Sequence, residues 1–399
     1  MLLGLASGGL WSVWWIALAV VLVVGGLSAI LRSAGLEWVR IRRILIGVYA
    51  IGYVSWFAIN GIIIDRISVL LSFAIFLGVA SVGRSRDAWR RTATDLGLFV
   101  MMWVAYDESR GVADELGMPI QVESVRDIDR FLLFGRDGSV ALQERFLAPV
   151  GTVRWYDVVA SCVYYSHFIV PPIALGVLWW RNRDEWVRYM RRFATLMLVA
   201  CTMFVLLPTA PPWMAAGGST RPGFRFDALP ALRRPTGNGW EHIGLRNFVE
   251  AWDTGRDWAN DVAAMPSLHA AYALFVVAFF WPKIRSPWIR AALVAYPTSM
   301  AAALVYFGEH YLTDALVGWA VVGLSFLVWN RVETRHRSSG DVDTENGANS
   351  DVDDEHNAPV AVAVADGGTD GGVAQTSAGE GSAAEVAADG TVPSVSALR

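Results

Sequence analysis

Two short stretches carry side chains that could act together as nucleophile, acid and anion holder. Met265-Pro266-Ser267-Leu268-His269-Ala270 opens one apolar run. Gly308-Glu309-His310-Tyr311-Leu312-Thr313-Asp314 opens another after the chain has crossed back. A proline fits the first turn of a helix, because its missing N–H would be unpaired there anyway. The free N–H groups that follow, with the helix dipole, make an anion site. Ser267 adds a hydroxyl donor at that point, and His269 stands about one turn in. His310 and Asp314 are four residues apart, so a helix puts both on one face. An aspartate beside an imidazole fixes its tautomer and raises its basicity. One histidine attacking phosphorus and another protonating the leaving oxygen would unite nucleophile and acid in one pocket. A His-x-x-x-Asp pair alone is a weak signal, since isolated intramembrane histidines mostly satisfy a packing hydrogen bond. Two such elements at matching membrane depth, with an arginine-bearing loop between them, favour a site.

The elements that must position these residues are membrane helices. With 54% hydrophobic and only 18% charged residues, several apolar runs reach or approach the roughly 20 residues that a spanning helix needs. Nine are expected: Trp11–Leu31, Ile44–Asn60, Ile67–Val82, Thr92–Tyr106, Val158–Trp180, Phe193–Ala210, Pro266–Trp281, Ala291–Phe307 and Tyr311–Trp329. The fold class is therefore all-α, a polytopic membrane helix bundle of about nine transmembrane helices. The chain divides into N-terminal transmembrane helices (1–106), an outer amphipathic connection (107–157), a membrane core carrying the histidines (158–330) and an acidic tail (331–399). The first run lacks a basic flank on its N-terminal side, so a retained helix is expected there rather than a cleavable leader. Cys162 and Cys201 lie inside apolar runs and read as packing residues.

Arginine placement orients the bundle. Alternate connections carry Arg32, Arg40, Arg42 and Arg43, then Arg84 to Arg91, then Arg181 to Arg192, then Lys283 to Arg290, and finally Arg331 to Arg337. Positive connections stay cytoplasmic, which predicts an outer N-terminus, a cytoplasmic tail and an active site at the outer face of the cell membrane. From Gly340 onward there are twelve Asp and Glu and a single basic residue, Arg399. Such a tail, rich in Gly, Ala and Ser and without aromatic residues, cannot bury enough apolar surface to fold alone. Two long connections then face outward. In Asp107–Asp157, Ile128, Phe131, Leu132 and Phe134 alternate with charges, as do Val140, Leu142, Phe146 and Leu147. These predict short amphipathic helices that cap the bundle, with admission of a lipid headgroup as the alternative. The Pro211–Met265 connection bears Arg221, Arg225, Arg233, Arg234, His242 and Arg246, and an arginine can grip two phosphate oxygens at once.

Pro-Ser-x-His followed by His-x-x-x-Asp one helical hairpin later resembles the type 2 phosphatidic acid phosphatase superfamily. Ala210–Trp213, Met265–Tyr272 and Gly308–Asp314 resemble its inositol phosphorylceramide synthase-like (inositolphosphotransferase) branch more narrowly. The resemblance implies a six-helix phosphatase-like core toward the C-terminal half and a phosphohistidine mechanism. In it His310 is the nucleophile, Asp314 orients it, His269 protonates the leaving group and Ser267 binds phosphate. The substrate would be a lipid phosphate drawn from the membrane, with no cofactor, metal or nucleic acid. Water as acceptor makes such an enzyme a phosphatase, and a lipid hydroxyl makes it a phosphotransferase; the residues do not distinguish the two. Two family positions differ. The arginine usual six residues before the nucleophilic histidine is Leu304. The lysine usual seven residues before an Arg-Pro falls on Asp227 or Met214. Phosphate neutralisation is therefore assigned to Arg225 and Arg246. His167 reads as a packing histidine bonded to a neighbouring helix, and His336 and His356 as irrelevant to chemistry. A competing class is a haem- or ion-handling membrane protein using His269 and His310 as ligands or relays, which leaves Pro266, Ser267 and Asp314 without a purpose.

Overall fold

The computed structural model describes residues 8–30, 37–60, 66–112, 116–219, 226–245, 249–250 and 262–353. Among these the secondary structure is helical, apart from three isolated bridges. The N-terminal helices are α1 (Gly8–Ile30), α2 (Trp38–Asn60), α3 (Arg66–Ser81) and α4 (Arg86–Gly111), followed by the short α5 (Glu123–Leu132) and α6 (Gly138–Phe146). Then come α7 (Trp155–Tyr165), α8 (Val170–Arg181), α9 (Arg183–Leu206), α10 (Pro212–Ala215) and α11 (Asn238–His242). The last three are α12 (Leu268–Phe280), α13 (Pro287–Tyr306) and α14 (Leu312–Asp353). Met1–Arg337 forms one compact unit. Of the second unit, Ser338–Arg399, residues 338–353 are helical.

Every one of the nine apolar runs falls on a helix, but they are not equal as membrane spans. Trp38–Asn60, Arg183–Leu206, Pro287–Tyr306 and Leu312–Arg335 are long and apolar enough to cross. Trp155–Phe168 and Val170–Arg181 are together long and apolar enough for a fifth, but the pair is bent by 41° at its break. Trp15–Ser28, Ser68–Ser81 and Leu268–Lys283 are shorter apolar helices. At about 1.5 Å per residue, the 13 residues of α12 cover roughly 20 Å, less than a bilayer core. The sequence predicts one straight run over Val158–Trp180, whereas the structure breaks it at a 3₁₀ turn, Ser166–Phe168. Pro171 and Pro172 stand in the first turn of α8. Neither can donate to the preceding turn, so the ladder cannot run through.

Other boundaries follow from local chemistry. Ser85, Asn182, Ser267 and Ser286 cap α4, α9, α12 and α13, each side-chain oxygen accepting an N–H three residues on. Helices α4, α8, α9, α12 and α14 enclose an apolar core in which Phe275 and Phe279 meet Tyr189 edge to face, beside Leu196 and Val322. Ile51 and Val54 on α2, Leu198 on α9 and Leu327 on α14 remain outward, as a lipid-facing surface requires.

The arginine-bearing helix ends are tied together by ion pairs. Arg183 pairs with Asp95, which also accepts the Trp179 indole N–H at 2.9 Å. Lys283 and Arg188 share Glu185, and Arg192 and Arg188 share Glu333. The amphipathic connection caps another part of the bundle. Val122 and Val125 pack on Trp213, Met214 and Tyr311, while Phe131 and Phe134 are 84% and 97% exposed. The α5–α6 cap thus has one face packed on protein and one aromatic face turned outward.

Candidate active site

The loops around the histidine segments are knitted together by backbone bonds. Thr209 N donates to Val262 O at 2.6 Å and Ala264 N to Thr209 O at 3.2 Å, while Gln121 N donates to Pro208 O at 2.8 Å. Gln143 extends this frame from α6. Its side-chain amide donates to Tyr306 O and Arg233 O and accepts from Arg233 N. The turn before His310 is thereby held on one side by α6 and on the other by Trp213, whose N–H donates to Gly308 O. Gly308 has φ +68, a conformation that side chains with a Cβ resist.

Helix α12 starts at Leu268, two residues later than a proline in its first turn would require. Ser267 is the cap, its Oγ accepting from Ala270 N at 3.4 Å, and Pro266 precedes it. With that bond accepted, the Ser267 O–H is still a donor. Ser267 N in turn donates to Asp314 O at 3.0 Å, so the two motifs meet through their backbones. The Trp319 indole N–H donates to Ala270 O at 3.1 Å. Contact this close requires glycine at position 318, where an added Cβ would lie 2.6 Å from Ser267 O. Gly318→Ala is therefore expected to push α14 from α12, costing about 1–3 kcal/mol and at least roughly tenfold in turnover. Thermal melting and turnover of the purified variant check this, and wild-type values for both would show that the contact is not needed.

His310 and Asp314 do share a face. His310 Nδ1 lies 3.3 Å from Asp314 Oδ2, and Tyr311 N donates to the same oxygen at 2.9 Å. The Asp314 carboxylate is fully buried and His310 is 9% exposed. The two histidine rings are 5.7 Å apart, centroid to centroid, close enough for one tetrahedral phosphate to touch both. Among the described residues no group of three or more His, Cys, Asp or Glu is placed to hold a metal. Arg225 and Arg246 lie outside the described residues.

Several residues near the site were not singled out for it from the sequence. His167 stacks directly on His269 at 4.1 Å; its Nδ1 is buried without a hydrogen-bond partner among the described residues, contrary to the expected interhelical bond. Asp129 on α5 accepts from Thr313 N and Oγ1 at 3.0 and 3.1 Å, capping the helix that carries Asp314. Burial pushes the Asp129 carboxyl up, opposed by those two bonds. Nearby, the hydrogen bonds of Arg126 hold Asp137 below the usual carboxylate range. Arg234 grips Glu309, next to His310, through two bonds of 2.8 and 2.7 Å, with its guanidinium 3.9 Å above the Trp213 ring. Arg110, in the last turn of α4, donates to the Tyr106 hydroxyl at 2.9 Å. Local spacing carries no trace of these partnerships; Asp129 and Thr313 stand 184 residues apart.

A membrane-embedded helical frame holding a buried His-x-x-x-Asp pair beside a second histidine defines a class, and the chain belongs to it: the PAP2 superfamily, whose family model matches residues 127–328. The protein is thus a multi-pass membrane enzyme of the lipid phosphatase and phosphotransferase type. One relative is the phosphoinositol dihydroceramide synthase of Bacteroides thetaiotaomicron, 27% identical over 259 residues, covering 62% of this chain and 80% of the relative. Both matches agree with the branch resemblance carried by Met265–Tyr272 and Gly308–Asp314. No solved structure matches the chain.

Proposed function

We propose that the protein transfers an inositol phosphate-type headgroup from a lipid phosphodiester to a lipid hydroxyl through a phosphohistidine at His310. The observation that carries this reading is the buried His310–Asp314 pair with the His269 ring beside it. With the Nδ1 proton held by Asp314, the Nε2 lone pair of His310 is the one free to attack phosphorus. A new N–P bond forms as the bond from phosphorus to the diacylglycerol oxygen breaks, and His269 gives that oxygen its proton. In the second half His269 takes the proton of the acceptor hydroxyl, whose oxygen displaces His310 from phosphorus, which returns His269 to its protonated form and frees the His310 imidazole. The Ser267 hydroxyl and the first turn of α12 hold the phosphate oxygens. Positive charge comes from Arg225 and Arg246 in the loop. The arginine alternation supports a site at the outer face of the membrane. The relative's name supports an inositol phosphate headgroup and a ceramide-type acceptor.

The same residues with water as acceptor would make a phosphatase. Purified protein given phosphatidylinositol, with and without a ceramide-type acceptor, separates the two. Acceptor-dependent formation of a new phosphodiester lipid is the expected result. Release of free inositol phosphate at the same rate with or without acceptor would overturn transfer in favour of hydrolysis.

A further inference from the structure

His269 does not stand alone. Tyr164 and His167, three residues apart at the end of α7 and in the 3₁₀ turn, interleave with His269 and Tyr272, three apart on α12. The rings form one column, Tyr164–His269–His167–Tyr272, with successive centroid distances of 4.9, 4.1 and 5.0 Å and interplanar angles of 16°, 28° and 7°. Packing alone does not explain the imidazole at 167. A phenyl or phenol ring fills such a slot, as Tyr164 and Tyr272 do in the same column, and leaves no ring nitrogen buried without a partner. Both His167 Nδ1 and His269 Nε2 are buried and unpartnered among the described residues. An orphaned buried polar atom is costly to keep, and it is retained where another state of the molecule gives it a partner.

A phosphate oxygen is a partner of the kind such a nitrogen lacks. The chain has Leu304 where the superfamily resemblance leads one to expect an arginine, so that donor to the phosphate oxygens is replaced by an apolar side chain. We propose that His167 is a phosphate-binding residue, its ring N–H donating to a non-bridging phosphate oxygen beside His269. This rests on the headgroup-transfer reading above. The ring column delivers the donor without a charged side chain in the apolar core: the stack fixes the plane of His167, and the break before Pro171 places it on the α12 side of the bend. Orthovanadate, which mimics the five-coordinate phosphorus, is the probe.

The test compares inhibition by orthovanadate and turnover in wild type, His167→Phe, His167→Asn and His310→Ala. His167→Phe keeps a flat ring in the column and removes the donor. It is expected to lose about a hundredfold in turnover, the scale of losing one oxyanion donor, and to weaken vanadate inhibition similarly, with an unchanged or raised melting temperature. The Asn amide places a donor near the position of Nδ1 and should recover vanadate inhibition to within roughly tenfold of wild type. Should phenylalanine not be accommodated, His167→Leu is compared with Asn in the same way. Wild-type vanadate inhibition in the Phe or Leu variant overturns the proposal, as does an Asn variant equally impaired though folded. In either case an inactive His310→Ala leaves the transfer reading intact, whereas an active one removes the reading itself.

Discussion

His310→Ala is expected to abolish turnover, by at least about 10⁴-fold, while leaving the fold in place. Covalent catalysis through a single nucleophile has no substitute once that atom is gone, and residual rates come only from binding and positioning. The ring is largely buried, and its polar contact is the 3.3 Å approach to Asp314. Removing it costs packing, while the backbone bonds that hold the segment, from Ser267 N to Asp314 O and from Trp213 N to Gly308 O, are untouched. Asp314→Asn should come close to the same loss, roughly 10³–10⁴-fold, because an amide in place of the carboxylate allows the wrong imidazole tautomer. Quenching with radiolabelled substrate gives a second readout. Wild type should retain acid-labile phosphorus on the protein, and His310→Ala none. A His310→Ala protein turning over within tenfold of wild type would place the nucleophile elsewhere.

The second large effect concerns stability. The Arg192 side chain is 2% exposed, and its guanidinium donates to Glu333 at 2.8 and 2.9 Å and to Asn330 at 2.9 Å. Ser325 donates to Arg192 O at 2.7 Å, so α9 and α14 are bound twice at this level. Glu333→Ala strands a buried arginine, and breaking a buried pair from one side costs about 3–5 kcal/mol. A purified Glu333→Ala variant should melt several degrees lower and be lost faster from detergent solution. Replacing both partners by apolar residues of similar size should recover much of the loss, because the penalty lies in the unpaired charge rather than in the missing attraction. If Glu333→Ala melts with wild type, the pair contributes nothing and Asn330 suffices. Turnover per folded molecule is expected to change little, since neither residue belongs to the histidine site.

Much of the fold and part of the site are legible in the residues alone. Apolar run length marks the helices because a bilayer admits few other spanning structures. The four-residue spacing of His310 and Asp314 dictates a shared face because the helix repeat is fixed. Ser267 and His269 are legible for the same local reason. Less legible are features that depend on which distant surfaces meet. The bend at Ser166–Phe168 turns a packing histidine into the neighbour of His269. Asp129 and Gln143, on a connection that reads as a surface cap, hold the turns on either side of His310. These contacts join segments separated by scores of residues and recur at no sequence period, so composition and spacing cannot register them. Local periodicity specifies the His310–Asp314 pair, and packing between distant helices decides what stands around it.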